Sequence, residues 1–256
     1  NMENVISIVK EASNKGAEVL LFPEAALTGY CYTSKEEAFN DIPDNLVKMA
    51  ADAISPICGQ SIVLIGLLEK KQNQLYNTAI AINSKGIIGC YYKTHLPFLG
   101  ADKFVTKGDS AAGSLLETPY GKIGILVCYE LRFPEVARVL SLKGAELICD
   151  LANLPVGGES NVTFIGRTRA LENKSFLALC NRCGTERDVN FIGRSQIIDP
   201  NGDILASAED REEILYSEID LSHARDKVII NNPKQYEMHL YKDRRPDLYG
   251  IITERL

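Results

Sequence analysis

Three reactive side chains each stand directly after an apolar run. Glu24 follows Leu20-Leu21-Phe22-Pro23, Lys93 follows Cys90-Tyr91-Tyr92, and Cys128 follows Ile125-Leu126-Val127. Short apolar runs of this kind read as buried strands, and the ends of strands are where α/β folds offer side chains to a ligand. One strand followed by a charge is most simply a strand reaching solvent. The three together supply a base, a cation and a nucleophile, the parts that covalent catalysis requires.

Other chemistry finds little support. There is no Gly-x-Ser-x-Gly elbow, no phosphate loop of the Gly-x-x-x-x-Gly-Lys-Ser/Thr type and no His-Glu-x-x-His helix. His95, His223 and His239 are too scattered for a metal cluster, so no metal is expected. Cys180 and Cys183 have the spacing of a redox or zinc half-site, but no second pair completes it, and they read as two thiols at a strand end. The chain of 256 residues is 45% apolar and 24% charged, which is ordinary for a globular protein. Its net charge of −6 argues against a nucleic-acid partner, which leaves a basic footprint. Seven cysteines cannot all pair within one chain, and several lie in apolar runs, so free thiols in a reducing, cytoplasmic compartment are expected. No apolar run approaches the ~18 residues that span a bilayer, no signal peptide is visible, and no membrane partner is expected.

The elements that must position these groups alternate. Ile6, Val9, Ala12 and Ala17 space an amphipathic helix, with Gly16 as its C-terminal cap and a fully buried strand over 19–22 behind it. A helix over 43–54 and a strand over 61–68 follow, then a hairpin of strands 76–82 and 87–93. A strand at 124–128, a helix from Pro134 to Gly144, a strand over 147–151, a helix over 167–173 and a strand over 176–181 continue the alternation. A second hairpin, 194–199 with 204–208, turns at Pro200-Asn201-Gly202. Ser13-x-Lys15-Gly16-Ala17-Glu18 recurs as Ser141-x-Lys143-Gly144-Ala145-Glu146, each copy followed by a strand and later by a hairpin. The order indicates an α/β protein with mixed sheets, one domain over residues 1–256 built from two similar halves.

The three strand ends, in this order, resemble the Glu–Lys–Cys signatures of the nitrilase superfamily of carbon–nitrogen hydrolases. The likeness rests on Phe-Pro-Glu-Ala-Ala-Leu-Thr-Gly-Tyr (22–30), Tyr-Lys-Thr-His-Leu-Pro (92–97) and Cys-Tyr-Glu-Leu-Arg-Phe-Pro-Glu (128–135), with Arg169-Ala170-Leu171-Glu172-Asn173 and Asp199-Pro200-x-Gly202 further on. It implies a four-layer αββα sandwich with internal pseudo-two-fold symmetry and a cysteine-dependent hydrolase without metal or cofactor. It implies too that a first strand of the fold precedes the helix at residue 2, outside this sequence. A homodimer or larger assembly is implied as well, with the tail over 231–256, bearing Tyr236, Tyr241 and Tyr249, as a candidate interface.

An amide carbonyl is a poor electrophile, so a thiol has to lose its proton to attack it. The resemblance assigns Glu24 as general base, Cys128 as nucleophile and Lys93 as oxyanion donor, aided by the backbone N–H of Tyr129. Many relatives carry a further glutamate in the loop after the lysine. Here the nearest acid is Asp102, one methylene shorter, which either takes that role with altered reach or is a solvated loop residue. Glu130 is expected to hold the turn at Cys128. Tyr30, Phe98, Tyr129 and Asn153 are candidate pocket walls, each of which could equally support the fold. True nitrilases of the superfamily usually carry Trp after the cysteine, whereas this chain has none. The expected substrate is a small aliphatic or ω-amide; an N-carbamoyl compound is the alternative, and a nitrile a weaker one.

Overall fold

The computed structural model describes residues 1–109, 113–232 and 235–255. Helix α1 (Met2–Asn14) ends at Gly16, whose φ of +84° admits the chain reversal into β1 (Val19–Leu21). Helices α2 (Lys35–Asp41) and α3 (Leu46–Ile54) cross over to β2 (Ile62–Lys71), which pairs parallel with β1. Strands β3 (Gln74–Asn83) and β4 (Gly86–Tyr92) then add antiparallel, completing a sheet of order β1-β2-β3-β4. Helix α2 was not expected, although Ser34 accepts from the Glu37 N–H in the manner of an N-cap and Ser-Lys-Glu-Glu spells that cap in the sequence.

The second half repeats the first. Helix α4 (Pro134–Leu142) leads through Gly144, at φ +98°, into a strand that pairs parallel with the strand following the next helix. The caps match bond for bond: Ala17 N–H to Ala12 O and Gly16 N–H to Ser13 O in one, Ala145 N–H to Leu140 O and Gly144 N–H to Ser141 O in the other. The strands of this half are β5 (Ser114–Thr118), β6 (Gly121–Val127), β7 (Leu147–Ala152), β8 (Phe176–Asn181), β11 (Gln196–Ile198) and β12 (Ile204–Ser207). They form a sheet of order β12-β11-β8-β7-β6-β5, with α5 (Gly166–Asn173) between β7 and β8. Two hairpins, β9 (Cys183–Glu186) with β10 (Val189–Ile192) and β13 (Val228–Asn232) with β14 (Tyr236–His239), stand apart from both sheets and were not expected.

The alternation of side chains along β2 and β3 explains the layers. Ile62, Leu64, Ala79 and Ala81 pack with Ile123 and Ile125 of the second sheet, while Val63, Ile65, Ile80 and Ile82 pack with Val5, Val9, Ala50 and Ile54 of α1 and α3. On the far side, Val136, Ala137 and Leu140 of α4 and Ala170 of α5 cover the second sheet. The architecture is the four-layer αββα sandwich with two similar halves. Unlike β7, which has β6 on its other side, β1 pairs with β2 alone among the described residues, and its Val19 and Leu21 are only half-buried, against the expectation of a fully buried strand. A cleft of about 1440 Å³ lined by Val5, Leu20, Cys149, Ala178 and Tyr216 runs along this edge. No helix among the described residues is long and apolar enough to cross a membrane.

Candidate active site

Glu24 sits one residue past Pro23, where the chain turns over β2. Gly66 of β2 makes that turn possible, because a Cβ there would lie 2.5 Å from the Ala25 nitrogen and 2.6 Å from the Glu24 Cα. The Gly66 N–H donates to Pro23 O and the Leu27 N–H to Gly66 O, fastening the turn to the strand. Lys93 leaves β4 with its backbone N–H on Asn77 O of β3. Both side chains are buried, and Lys93 Nζ donates to Glu24 Oε1 at 2.6 Å.

Asp102 lies in a short 3₁₀ turn (Gly100–Lys103) and is 4% exposed, so it is no solvated loop residue. Lys93 Nζ donates to its Oδ2 at 2.6 Å. Tyr30 directs its hydroxyl between Asp102 Oδ2 and Leu99 O, at 3.0 Å from each. The carboxamide of Asn77 donates to both carboxylates, at 2.7 Å to Glu24 Oε1 and 2.8 Å to Asp102 Oδ1. Asn77 was not a sequence candidate; a polar residue within an apolar strand was the available signal. Glu186, at the end of β9, accepts the N–H groups of Tyr30 and Cys31, so a hairpin of the second half fixes a site loop of the first.

Cys128 opens the 3₁₀ turn Cys128–Arg132 at φ +54°, a left-handed conformation that a non-glycine residue holds only when its surroundings enforce it. Glu130 Oε2 takes the Val127 N–H, while its Oε1 accepts the Tyr91 hydroxyl at 2.6 Å and the Thr94 hydroxyl and N–H. Arg169 donates to Leu131 O and Arg132 O at the other end of the turn.

The electrostatics follow from burial around a single ammonium. Burial, then the charge of Glu24, pushes the Cys128 thiol well up, against Lys93 and the nearby Asn153 N–H, and an ionised Asp150 would push it further. At rest Cys128 is therefore a thiol. Burial also raises Glu24 above the usual carboxylate range, with Lys93 opposing and Asp102 adding to the rise. Burial works against the charge of Lys93, but Glu24 and Asp102 outweigh it and hold the ammonium protonated. Burial opposes the charge of Glu130 as well; its bonds from His95, Tyr91 and Thr94 prevail and keep it below its ordinary value.

Glu24 Oε2, Asn77 Oδ1 and both polar atoms of the Asn153 side chain are buried without a hydrogen-bond partner among the described residues. Each such atom costs on the order of 1–3 kcal/mol, a cost removed when a polar molecule supplies the partner. Among the remaining candidates, Tyr129 packs edge-on to Phe133 at 5.0 Å, half-buried. Phe98 does not join the site: its ring is 88% exposed beside the Lys103 ammonium, because the loop from Leu96 to Leu99 turns it to solvent. No group of three or more His, Cys, Asp or Glu suited to a metal occurs among the described residues, and all seven cysteines are free.

The profile of the family described as carbon-nitrogen hydrolase matches residues 1–227. A nitrilase of Pyrococcus abyssi is 34% identical over 255 residues, 97% of this chain and 92% of that one. An omega-amidase of Xenopus laevis is 27% identical over 268 residues, covering 100% of this chain and 93% of its own. A carbon-nitrogen hydrolase from Helicobacter pylori G27 superposes with a TM-score of 0.86 at 26% identity, over 99% of this chain and 92% of that chain. The chain belongs to the carbon–nitrogen hydrolase family.

Proposed function

We propose that the protein hydrolyses the C–N bond of a small aliphatic or ω-amide through a thioester on Cys128, releasing ammonia. The observation that carries this reading is the buried ammonium of Lys93, 2.6 Å from both Glu24 and Asp102, beside a thiol set on a left-handed turn. The resemblance to an omega-amidase over the whole chain supports the amide class.

In the acylation half, Glu24 takes the Cys128 proton as the sulfur bonds to the carbonyl carbon and the C=O electron pair moves to oxygen. Lys93 Nζ and the Tyr129 N–H stabilise that oxyanion in a dry site, where a fixed charge is worth more than in water. Glu24 returns the proton to nitrogen, the C–N bond breaks and ammonia leaves. In the second half Glu24 takes a proton from water, whose oxygen bonds to the thioester carbon. The second tetrahedral intermediate collapses, expelling the Cys128 sulfur with the proton from Glu24, and the carboxylic acid departs. Asp102 and Asn77 hold Glu24 and Lys93 in place throughout. Tyr30, Tyr129 and Asn153 line the substrate, with the Asn153 carboxamide supplying one donor and one acceptor.

The thiol chemistry requires a reducing compartment, and we place the protein in the cytoplasm on that ground. A homodimer is part of the same reading: Leu248, Ile251 and Ile252 of the tail are exposed apolar residues that a second copy would cover. Tyr241 is not among them, since its hydroxyl meets Ser141 and Asn173 of its own chain.

The test is intact-mass detection of an acyl adduct on Glu24→Gln across amides, nitriles and N-carbamoyl compounds, with ammonia release by the native protein. An adduct on Cys128 from amides, and its loss in Cys128→Ala, is the expected result. Ammonia release undiminished in Cys128→Ala would sink the reading.

A further inference from the structure

Every residue of β7 is buried, and five of the six are apolar or cysteine; the exception is Asp150, which is 0% exposed. A leucine would satisfy the packing, so the carboxyl requires another account. Its Oδ1 accepts the backbone N–H of Cys128 at 2.6 Å, reaching across from the strand beside β6. The preceding N–H, of Val127, is held by Glu130 Oε2 at 2.9 Å. Two successive N–H groups at the start of the turn are thus each held by a buried carboxyl, one from the turn itself and one from the neighbouring strand. Glu130 is anchored by Tyr91 and Thr94, whereas Asp150 Oδ2 has no partner among the described residues.

We propose that Asp150 is a positioning residue of the reaction: its carboxyl pins the Cys128 N–H and so fixes the left-handed turn from which the sulfur attacks. The φ of +54° at Cys128 needs such a hold, because a side chain with a Cβ relaxes from this region when released. The carboxyl performs this task in its neutral form. Glu24 and Asp102 already flank one ammonium, Lys93, and a further anion would oppose formation of the Cys128 thiolate. Burial foremost, with Glu24 and Glu130, pushes Asp150 well above the carboxylate range, against the Cys128 N–H and Lys93. A neutral acceptor at this position holds the backbone without taxing the nucleophile's charge.

The proposal rests on the amide hydrolase reading, and its test separates the two. Asp150→Asn keeps an acceptor of the same reach without ionisation; Asp150→Leu keeps the volume and removes the acceptor. Two quantities are measured: amide turnover, and the alkylation rate of Cys128 by iodoacetamide, which depends on how the thiol is held and not on the natural substrate. Asp150→Asn is expected to stay within about threefold of the native protein in both, while Asp150→Leu loses about 100-fold in kcat with KM little changed, as a misplaced nucleophile does. Alkylation of Asp150→Leu slows as well. Native kcat in Asp150→Leu, or an Asp150→Asn variant as impaired as Asp150→Leu, overturns the proposal. If Asp150→Leu does not fold, Asp150→Ala replaces it, and loss of turnover in Asp150→Asn is by itself sufficient to overturn. If the native protein turns over no amide but the alkylation contrast holds, the amide reading falls and the positioning role stands.

Discussion

Asp102 reaches Lys93 Nζ at 2.6 Å, the same distance at which Glu24 meets that ammonium from the other side. The shorter side chain makes this reach because Tyr30 and Asn77 hold the carboxyl from both ends and Gly100 starts the 3₁₀ turn that carries it. Lys93 is thereby suspended between two carboxylates rather than drawn against Glu24 alone.

Removing the second carboxylate should therefore cost rate more than fold. In Asp102→Ala, Lys93 pairs with Glu24 alone, which both pulls the ammonium from the oxyanion position and lowers the basicity of Glu24. A fall in kcat/KM of about 100-fold is expected, the scale seen when one oxyanion donor is lost. Asp102→Asn, which keeps one of the two acceptor oxygens and loses the charge, should fall between Asp102→Ala and the native protein. Steady-state ammonia release measures both; equal activity in all three would exclude the suspension of Lys93 as a contribution.

Gly66→Ala tests the placement of Glu24. The added methyl would meet the backbone at Pro23, Glu24 and Ala25 at 2.5–2.6 Å, with no flexible side-chain end to give way. Overpacking of this kind costs about 1–3 kcal/mol of stability. The turn bearing Glu24 has to lift from β2, so kcat should fall by at least about tenfold while Cys128, on the other sheet, keeps its alkylation rate. Denaturant unfolding, turnover and alkylation measured together check this; a variant that is destabilised yet fully active contradicts it.

The acid side of the pH profile separates chemistry from folding. Glu24 accepts a proton only as a carboxylate, and burial holds its pKa above the ordinary carboxylate value, so kcat/KM falls as pH drops through a value higher than that of a free glutamate. Glu130 is shifted the other way, by the bonds it accepts. A depressed carboxylate contributes stability above its unfolded pKa and loses it as pH falls through the lower folded one, below 4.5. Lowering the pH should thus silence the enzyme before it unfolds Glu130's turn. Activity and near-ultraviolet circular dichroism recorded over pH 3–8 check the order, with coincident loss of both as the contrary outcome.

Much of this was legible in the amino-acid order, for reasons that differ between residues. Glu24, Lys93 and Cys128 stand out because each ends an apolar run, a local pattern that needs no knowledge of contacts. The Ser-x-Lys-Gly-Ala-Glu repeat likewise encodes the two matching helix caps, since cap bonds span only a few residues. Asp102 stayed undecided in the sequence because its role depends on a reach of one methylene, set by the turn that carries it. Asn77 and Asp150 were hidden inside strands, where the composition of the run says that the residue is buried but not what its polar atoms face. The exposure of Phe98 was hidden for the converse reason, since an aromatic in a loop has no periodicity to say which way it points.

By itself the sequence determined the α/β order and the two-fold repeat, and it marked Glu24, Lys93 and Cys128 at their strand ends, all properties carried by neighbours along the chain. Only the tertiary structure decided that one ammonium is shared by Glu24 and Asp102, and that Asp150 of a neighbouring strand holds the Cys128 N–H. These are contacts between residues distant in sequence. Their energies come from desolvation and distances of a few ångströms, which exist only once the sheets have packed.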